Sequence, residues 1–407
     1  MVATTTKTRI YPHNPAFTPF GLFMFLNMTV PLAAFSFSHR RCFFRSIPIS
    51  SCGKNICSEA HTVTLHARGG AMARRKKQLL EKDGDESVNS VHSNADTIYS
   101  MPPLYDLAFG YRNYEEEVEF LLDSHRKYSK TSDGTTEPLR IIELAAGPAR
   151  HSLAALSQHS QTKIRSVVAL DRSKEMVDYG NENADVELGT GGGRRDDFSY
   201  VCGDMRNIQE SINKDESKTL RFDTAWLLLG SMQHLLTNDD IIACFRSIHS
   251  VLNPGGTVVI ELPHPRETFS MGECTRNGWT VPLVDEVDDD GEEKEYGELN
   301  IVWGDEEDEF DPVEQIRKFT VGMELVIKNP EDIPQDFDTS PLFQKMTRDG
   351  KTTLKEIVPM RLFTLQEVDA LARCAGLELA AKYGALDSDV SIEDEEEAFR
   401  MVIILTN

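Results

Sequence analysis

Cysteine is scarce in this 407-residue chain and poorly spaced for any bonded role. Seven are present (Cys42, Cys52, Cys57, Cys202, Cys244, Cys274 and Cys374), with no Cys-x-x-Cys pair among them. That excludes a disulfide scaffold and a cysteine-built zinc site, and it points to free thiols in a reducing compartment. No cluster of His, Cys and carboxylate side chains has metal-ligand spacing, so no metal is expected. Positive charge is equally thin beyond the first eighty residues: residues 81–407 hold 32 Lys/Arg against 65 Asp/Glu, a net of −33 within a whole-chain −23. A body that acidic repels phosphate backbones, so nucleic acid is not an expected partner. No apolar run is both long and clean. The nearest, Phe20–Phe37, is uncharged but contains Asn27, Thr29, Pro31 and Ser36, so a stable membrane span in the mature protein is not expected. No internal repeat is evident. What is there, 40% hydrophobic and 27% charged residues, is the composition of a globular protein with a sizeable core.

Residues 1–80 differ from the rest, with eleven Lys/Arg and one acid (Glu59), a net of +10. Lys7 and Arg9 precede the apolar run, and Arg40, Arg41 and Arg45 follow it. Small residues at Ala33–Ala34 suit a signal-peptide core, and Ser38–Leu80, rich in Arg, Ser and Lys, has transit-peptide composition. In that order the two parts resemble the leaders of proteins imported into plastids bounded by extra membranes. A mitochondrial leader and a signal anchor stay open. Residues 81–97 are polar and aperiodic, a linker, and folded sequence begins near Ile98.

From Tyr105 onward, apolar strands alternate with amphipathic helices. The strand runs are Leu139–Leu144, Ile164–Leu170, Phe198–Cys202, Phe222–Leu229 and Thr257–Leu262, followed late in the chain by Leu377–Tyr383 and Ala398–Leu405. Helices fall between them, with Ser173, Thr237 and Thr364 as N-caps. Near-continuous apolar strands with helices between them predict a parallel, doubly wound sheet covered on both faces. Between Pro263 and Leu362 this rhythm breaks. Strand-like pieces there (Glu298–Trp303, Gln315–Lys328, Thr352–Pro359) suggest an antiparallel cap, and the acidic runs Asp285–Glu295 and Asp305–Asp311 read as solvated loop tips.

In an open parallel sheet, ligands bind at the carboxyl ends of the strands. Three strand ends carry suggestive chemistry together. Small residues in Glu143-Leu-Ala-Ala-Gly-Pro-Ala let the backbone approach a ligand at a helix N-terminus. Asp171, ending strand 2, offers a carboxylate to a ribose diol. Gly203-Asp204-Met205, after strand 3, offers one to the exocyclic amine of adenine.

With Ala169-Leu-Asp171 and Leu252-Asn-Pro-Gly-Gly-Thr, these segments resemble the successive motifs of class I S-adenosylmethionine-dependent methyltransferases. Upstream, Tyr105-Asp-Leu-Ala-Phe-Gly-Tyr-Arg is similar to the N-terminal helix of the small-molecule branch of that family. The resemblance spans about Ile98–Asn407. It implies a Rossmann-like doubly wound sheet of seven strands, the last antiparallel, with the mostly β cap (residues 263–361) inserted after strand 5. It implies S-adenosyl-L-methionine as cofactor and a small molecule, methylated at N or O, as acceptor. Glu143, Ala145 and Gly147 would shape the pocket for the amino-acid end of the cofactor. Asp171 would hold the ribose, and Asp204 with the Met205 backbone would read adenine. Leu229 and Gly230 would lie beneath the sulfonium. Tyr105 and Arg112 would reach over from the N-terminal helix, Arg112 pairing with the cofactor carboxylate. One departure stands out: the family usually has Gly where this chain has Ala145 and Ala149. The expectation is that the loop avoids positive φ there, since Ala adopts it poorly.

Each residue also has a plainer reading. Asp171 would merely cap the following helix, Glu143 would bond loop amides, and Arg112 would pair with Glu116 one helical turn on. His234, just beyond strand 4, is the candidate catalytic base for the acceptor's proton, or it satisfies backbone at the next helix. His264 and Arg266 line the acceptor pocket or shape a turn. Trp279 and Trp303 form an apolar wall or pack the cap core, and Cys202 and Cys244 read as buried small hydrophobes. An NAD-dependent oxidoreductase is disfavoured because Gly-x-Gly-x-x-Gly is absent and Gly147 stands alone in its loop. A catalytically silent scaffold that binds a partner is the remaining alternative, supported by the two alanines.

Overall fold

Apolar β-branched runs in the chain's middle each bury both faces, and the computed structural model shows where they go. It describes residues 97–130, 138–157, 163–189, 194–212, 220–269, 277–285, 294–328 and 352–407. The leader, nearly all of the linker, Cys42, Cys52, Cys57, Cys274 and most of the acidic run from Asp285 lie outside the described residues. The elements are α1 (Pro102–Phe109), α2 (Tyr114–Tyr128), β1 (Leu139–Leu144), α3 (Arg150–Ser157), β2 (Ile164–Asp171), α4 (Lys174–Leu188), β3 (Phe198–Cys202), α5 (Ile208–Ile212), β4 (Phe222–Leu227), α6 (Asn238–Val251) and β5 (Leu252–Pro263). The cap contributes α7 (Pro265–Thr268), β6 (Asn277–Asp285), β7 (Lys294–Trp303), β8 (Phe310–Asp311), β9 (Ile316–Ile327) and β10 (Thr352–Arg361). Helix α8 (Leu365–Arg373), β11 (Glu378–Tyr383) and β12 (Arg400–Thr406) close the chain.

Among the described residues, seven strands form one sheet in the order β11-β12-β5-β4-β1-β2-β3. Strands β1 to β5 pair in parallel, and β12 runs antiparallel to both β5 and β11. The order reverses at β1, which opens a crevice at the carboxyl ends of β1, β2 and β4. The three expected caps are present: Ser173, Thr237 and Thr364 accept from the N–H groups of Met176, Asp240 and Glu367.

Two boundaries differ from the sequence reading, for physical reasons. Strand β4 stops at Leu227 and not Leu229, because Leu229 turns to φ 56°. Strand β5 pairs from Leu252, earlier than Thr257, with a register shift against β4 that absorbs Pro254-Gly255-Gly256.

The cap is a second, antiparallel sheet in the order β10-β9-β7-β6, with β8 beside β9. Strand β6 has no clear alternation to announce it, since Gly278 and Pro282 interrupt the run. Its pairing with β7 supplies the order. Buried side chains fill both faces of the main sheet. A third cluster joins Ile98, Met101, Leu104 and Ala108 to the cap strands. The segment from Ile98 through α1 is therefore part of the cap's core as well as its link to the main sheet. Among the described residues, no helix is long and apolar enough to cross a membrane.

Candidate active site

Helix α1 is pinned on two sides. Toward the cap, Glu356 accepts the Ile98 N–H at 2.9 Å, and the Trp279 indole donates to the Ala108 carbonyl at 2.8 Å. Toward the main sheet, Asp106 takes a bidentate bond from Arg150 and a 2.8 Å bond from the Tyr179 hydroxyl. Between cap and sheet lies a cleft of about 2450 Å³. That exceeds the roughly 300–1,000 Å³ of a single-ligand pocket, leaving room for two small molecules side by side.

The strand tips converge on this cleft. Ala145, Gly147, Asp171, Asp204, Met205, Leu229, Tyr105 and His234 all line it. Asp171 sits at the centre of the converging tips. Its Oδ2 accepts the Gly147 N–H at 2.9 Å and its Oδ1 accepts the Ser173 N–H at 2.8 Å. The carboxylate thus caps the turn before α4 and still presents its remaining lone pairs to the cleft. The capping reading of Asp171 is what these bonds show. Burial raises its pKa, opposed by those backbone bonds. Gly147 is at φ 54°, and a Cβ there would stand 3.8 Å from the Tyr105 ring.

The two alanines overturn one expectation. Ala145 (φ 49°) and Ala149 (φ 60°) both adopt the left-handed conformation that the sequence reading had the loop avoid. The loop keeps a glycine-like path with alanine in it, at a cost of roughly 1–2 kcal/mol per residue. The cost is borne because the flanking groups fix the turn: Ala146 N–H donates to the Leu170 carbonyl, and Ala149 N–H to the Ala146 carbonyl.

Glu143 and Arg112 are placed differently from the roles that the resemblance implied. Glu143 is buried below the cleft and accepts from both the Ser152 N–H (3.0 Å) and hydroxyl (2.5 Å), with the His151 ring at 3.5 Å. Arg112 does not line the cleft and does not pair with Glu116. Its Nε donates to Glu117 at 3.0 Å, and its terminal nitrogen bridges both oxygens of Glu261 at 3.1 and 3.2 Å. Gly230 (φ 72°) is buried behind Leu229 and also stands back from the cleft surface.

Asp204 faces the cleft with both oxygens already occupied. Arg206 clasps it through Nε (3.0 Å) and a terminal nitrogen (2.7 Å), and the other arm of Arg206 reaches Asp240. The Arg206 bond holds the Asp204 carboxyl below its ordinary pKa, so it stays an acceptor.

The sequence reading missed Tyr99. Its hydroxyl lies 3.1 Å from Nε2 of His234, and the two rings meet edge-on. Tyr99 also touches Tyr105, which stacks at 4.6 Å on Phe109, itself in contact with Trp279 and Trp303. One aromatic belt runs from His234 along the roof of the cleft. The spacing Tyr99, Tyr105, Phe109, at the very start of the folded sequence, was the available signal. Trp279 and Trp303 line the cleft, so they form a wall of it. His264 caps α7 through Nδ1 and bonds the Ile392 carbonyl through Nε2, so it shapes a turn. Cys202 is exposed, contrary to expectation, whereas Cys244 is buried and its thiol is pushed up to about 12. His234 is accessible from the cleft yet surrounded by protein, and this desolvation lowers its pKa. Its neutral form therefore dominates near pH 7. Among the described residues, no group of three His, Cys, Asp or Glu side chains is arranged to hold a metal.

Residues 141–256 match the family model of a methyltransferase domain. No curated protein matches the chain. Among solved structures, it is similar to an S-adenosylmethionine-dependent methyltransferase from Clostridium acetobutylicum (14% identity, TM-score 0.49, 75% of this chain and 97% of that one). It is also similar to DesVI of Streptomyces venezuelae (17%, 0.49, 77% and 99%). A third is the sugar N-methyltransferase KedS8 from a Streptoalloteichus species (15%, 0.49, 80% and 99%).

Proposed function

We propose that this chain, whose residues 141–256 match a methyltransferase-domain model, is a class I S-adenosylmethionine-dependent methyltransferase that transfers a methyl group to an N or O atom of a small-molecule acceptor held in the cap-covered cleft. The observation that carries this reading is the convergence of Ala145, Gly147, Asp171, Asp204 and Leu229 on one cleft too large for a single ligand. The residues present suit the cofactor. Asp171 has free lone pairs for a ribose diol, the small residues of the β1–α3 loop admit its amino-acid end, and the anionic wall suits a cation. When bound, S-adenosylmethionine supplies an electrophilic methyl group on a sulfonium.

The chain's own contribution is alignment and exclusion of water. Holding two reactants as a near-attack pair can lower a barrier by about 7–11 kcal/mol, so a strong catalytic side chain is not required. His234 is the group that takes the acceptor's proton where one must leave. With its Nε2–H donated to the Tyr99 oxygen, its Nδ1 lone pair is free to act as base. The aromatic belt of Tyr99, Tyr105, Phe109, Trp279 and Trp303 gives the acceptor a flat, apolar wall.

Calorimetry on the chain with S-adenosylmethionine, with NAD in parallel, tests the reading. Binding of the first and not the second is expected. No binding of either would favour the silent scaffold, whose main support was the pair of alanines; the loop keeps its glycine-like path despite them. A radiolabelled methyl-transfer screen of size-fractionated extracts would then find the acceptor. Residues 1–80 are proposed as a plastid-targeting leader, on their charge and order, ahead of a linker and a folded unit from residue 98. A fluorescent protein fused to residues 1–80 should enter plastids; mitochondrial or surface-membrane fluorescence would refute that.

A further inference from the structure

Leu229 and Gly230 are consecutive left-handed residues at the end of β4, with φ 56° and 72°. For a leucine this conformation is costly, so something must hold it. Both N–H groups end on one residue. The Leu229 N–H donates to the Glu261 carboxylate at 3.0 Å, and the Gly230 N–H donates to the Glu261 carbonyl at 3.0 Å. Glu261 is 1% exposed, on neighbouring strand β5.

A buried carboxylate needs charge compensation. Arg112 supplies it through both oxygens, and Arg400 adds an ion pair at 3.3 Å. Arg112 follows α1, the helix that roofs the cleft. Its Nε continues the chain of contacts to Glu117, whose other partner is His151 at 2.7 Å; His151 in turn faces Glu143 on β1. Three carboxylates and three cationic groups thus form one line beneath the tips of β5, β4 and β1, buried at Glu261, Glu143 and His151 and partly exposed at Glu117 and Arg400.

We infer that Glu261 and Arg112 are positioning residues: Glu261 fixes the Leu229–Gly230 turn that presents Leu229 to the cleft, and Arg112 makes that hold depend on docking of the N-terminal segment. Neither residue needs to touch a reactant. The inference rests on the methyltransferase reading only for the purpose of the turn, since the hold itself is a property of the chain. Its consequence is that the roof and the floor of the cleft are set together. When the segment carrying Arg112 undocks, Glu261 loses its main counter-charge and the turn loosens.

The test combines amide hydrogen exchange at Leu229 with calorimetry, using S-adenosylmethionine as the probe. In Glu261→Ala, exchange at the Leu229 amide should rise by about 10–100-fold, the loss of one buried charge-assisted hydrogen bond, and cofactor affinity should fall about 10-fold. Arg112→Met does not touch Leu229, yet it should raise the same exchange rate several-fold. If Glu261→Ala does not fold, Glu261→Gln takes its place. It keeps an acceptor for the Leu229 N–H but not the charge, so Leu229 exchange should become indifferent to Arg112→Met in that background. Unchanged Leu229 exchange in Arg112→Met, or in Glu261→Ala, overturns the inference. Failure of the wild-type chain to bind the cofactor would instead defeat the methyltransferase reading, because the exchange measurement needs no ligand.

Discussion

At the scale of single residues, the proposed roles of Asp171 and His234, in binding and in proton removal, make opposite predictions. Asp171 anchors its own loop through two backbone N–H groups and offers the rest of its carboxylate to the cleft. Asp171→Ala removes charge-assisted bonds worth roughly 1.5–3 kcal/mol each, so cofactor affinity by calorimetry should fall by about 100-fold or more. His234→Ala should change that affinity by less than about 3-fold. Near-equal effects would refute the ribose assignment. The strained alanines make a second contrast. Ala145→Gly relieves about 1–2 kcal/mol of left-handed strain and adds about 0.4–1 kcal/mol of unfolded-state entropy. It should therefore stabilise the chain by about 0.5–1 kcal/mol in urea denaturation. Ala149 is fully buried, and losing its methyl group costs about 0.8 kcal/mol, so Ala149→Gly should be nearly neutral.

Among elements, β1, α2 and α3 meet at His151, which Glu117 and Glu143 hold on opposite ring nitrogens, with Tyr114 edge-on against the ring. Burial opposes its protonation, but the two carboxylates prevail and raise its pKa to about 9. A histidine raised above its unfolded value of about 6.5 adds stability that is complete below that pH and is lost as pH rises through 9. Thermal melts between pH 6 and 9.5 should show a loss on the order of 1–3 kcal/mol that His151→Gln lacks. A parallel decline in the variant would assign the effect elsewhere. The caps, strand runs and main helices here were legible because each is a local pattern of polar stop and apolar period. Strand β6 was not, since its order comes from pairing with β7, and the early start of β5 was hidden by Pro254-Gly255-Gly256 in a register shift.

For the molecule as a whole, the excess of acid reaches the cleft itself: Asp387 and Glu395–Glu397 stand along its lining. A cationic cofactor should be drawn in by that field. Raising ionic strength from about 0.01 to 0.15 M shortens the screening length from about 30 to 8 Å. Stopped-flow association of S-adenosylmethionine should therefore slow several-fold with added salt. Salt-independent association would show that the acidic body plays no part in capture.

The sequence alone determined the sheet's class, its cleft-facing strand ends and the three helix caps, because each depends on residues within one strand, turn or helix start. Tertiary structure alone decided the fate of Arg112, Glu143 and Tyr99. The groups that complete their charges and hydrogen bonds are Glu261, 149 residues along the chain from Arg112; Ser152, across the loop from Glu143; and His234, 135 residues from Tyr99. A buried charge takes whatever counter-charge the packed elements bring within reach, and linear spacing carries no record of that.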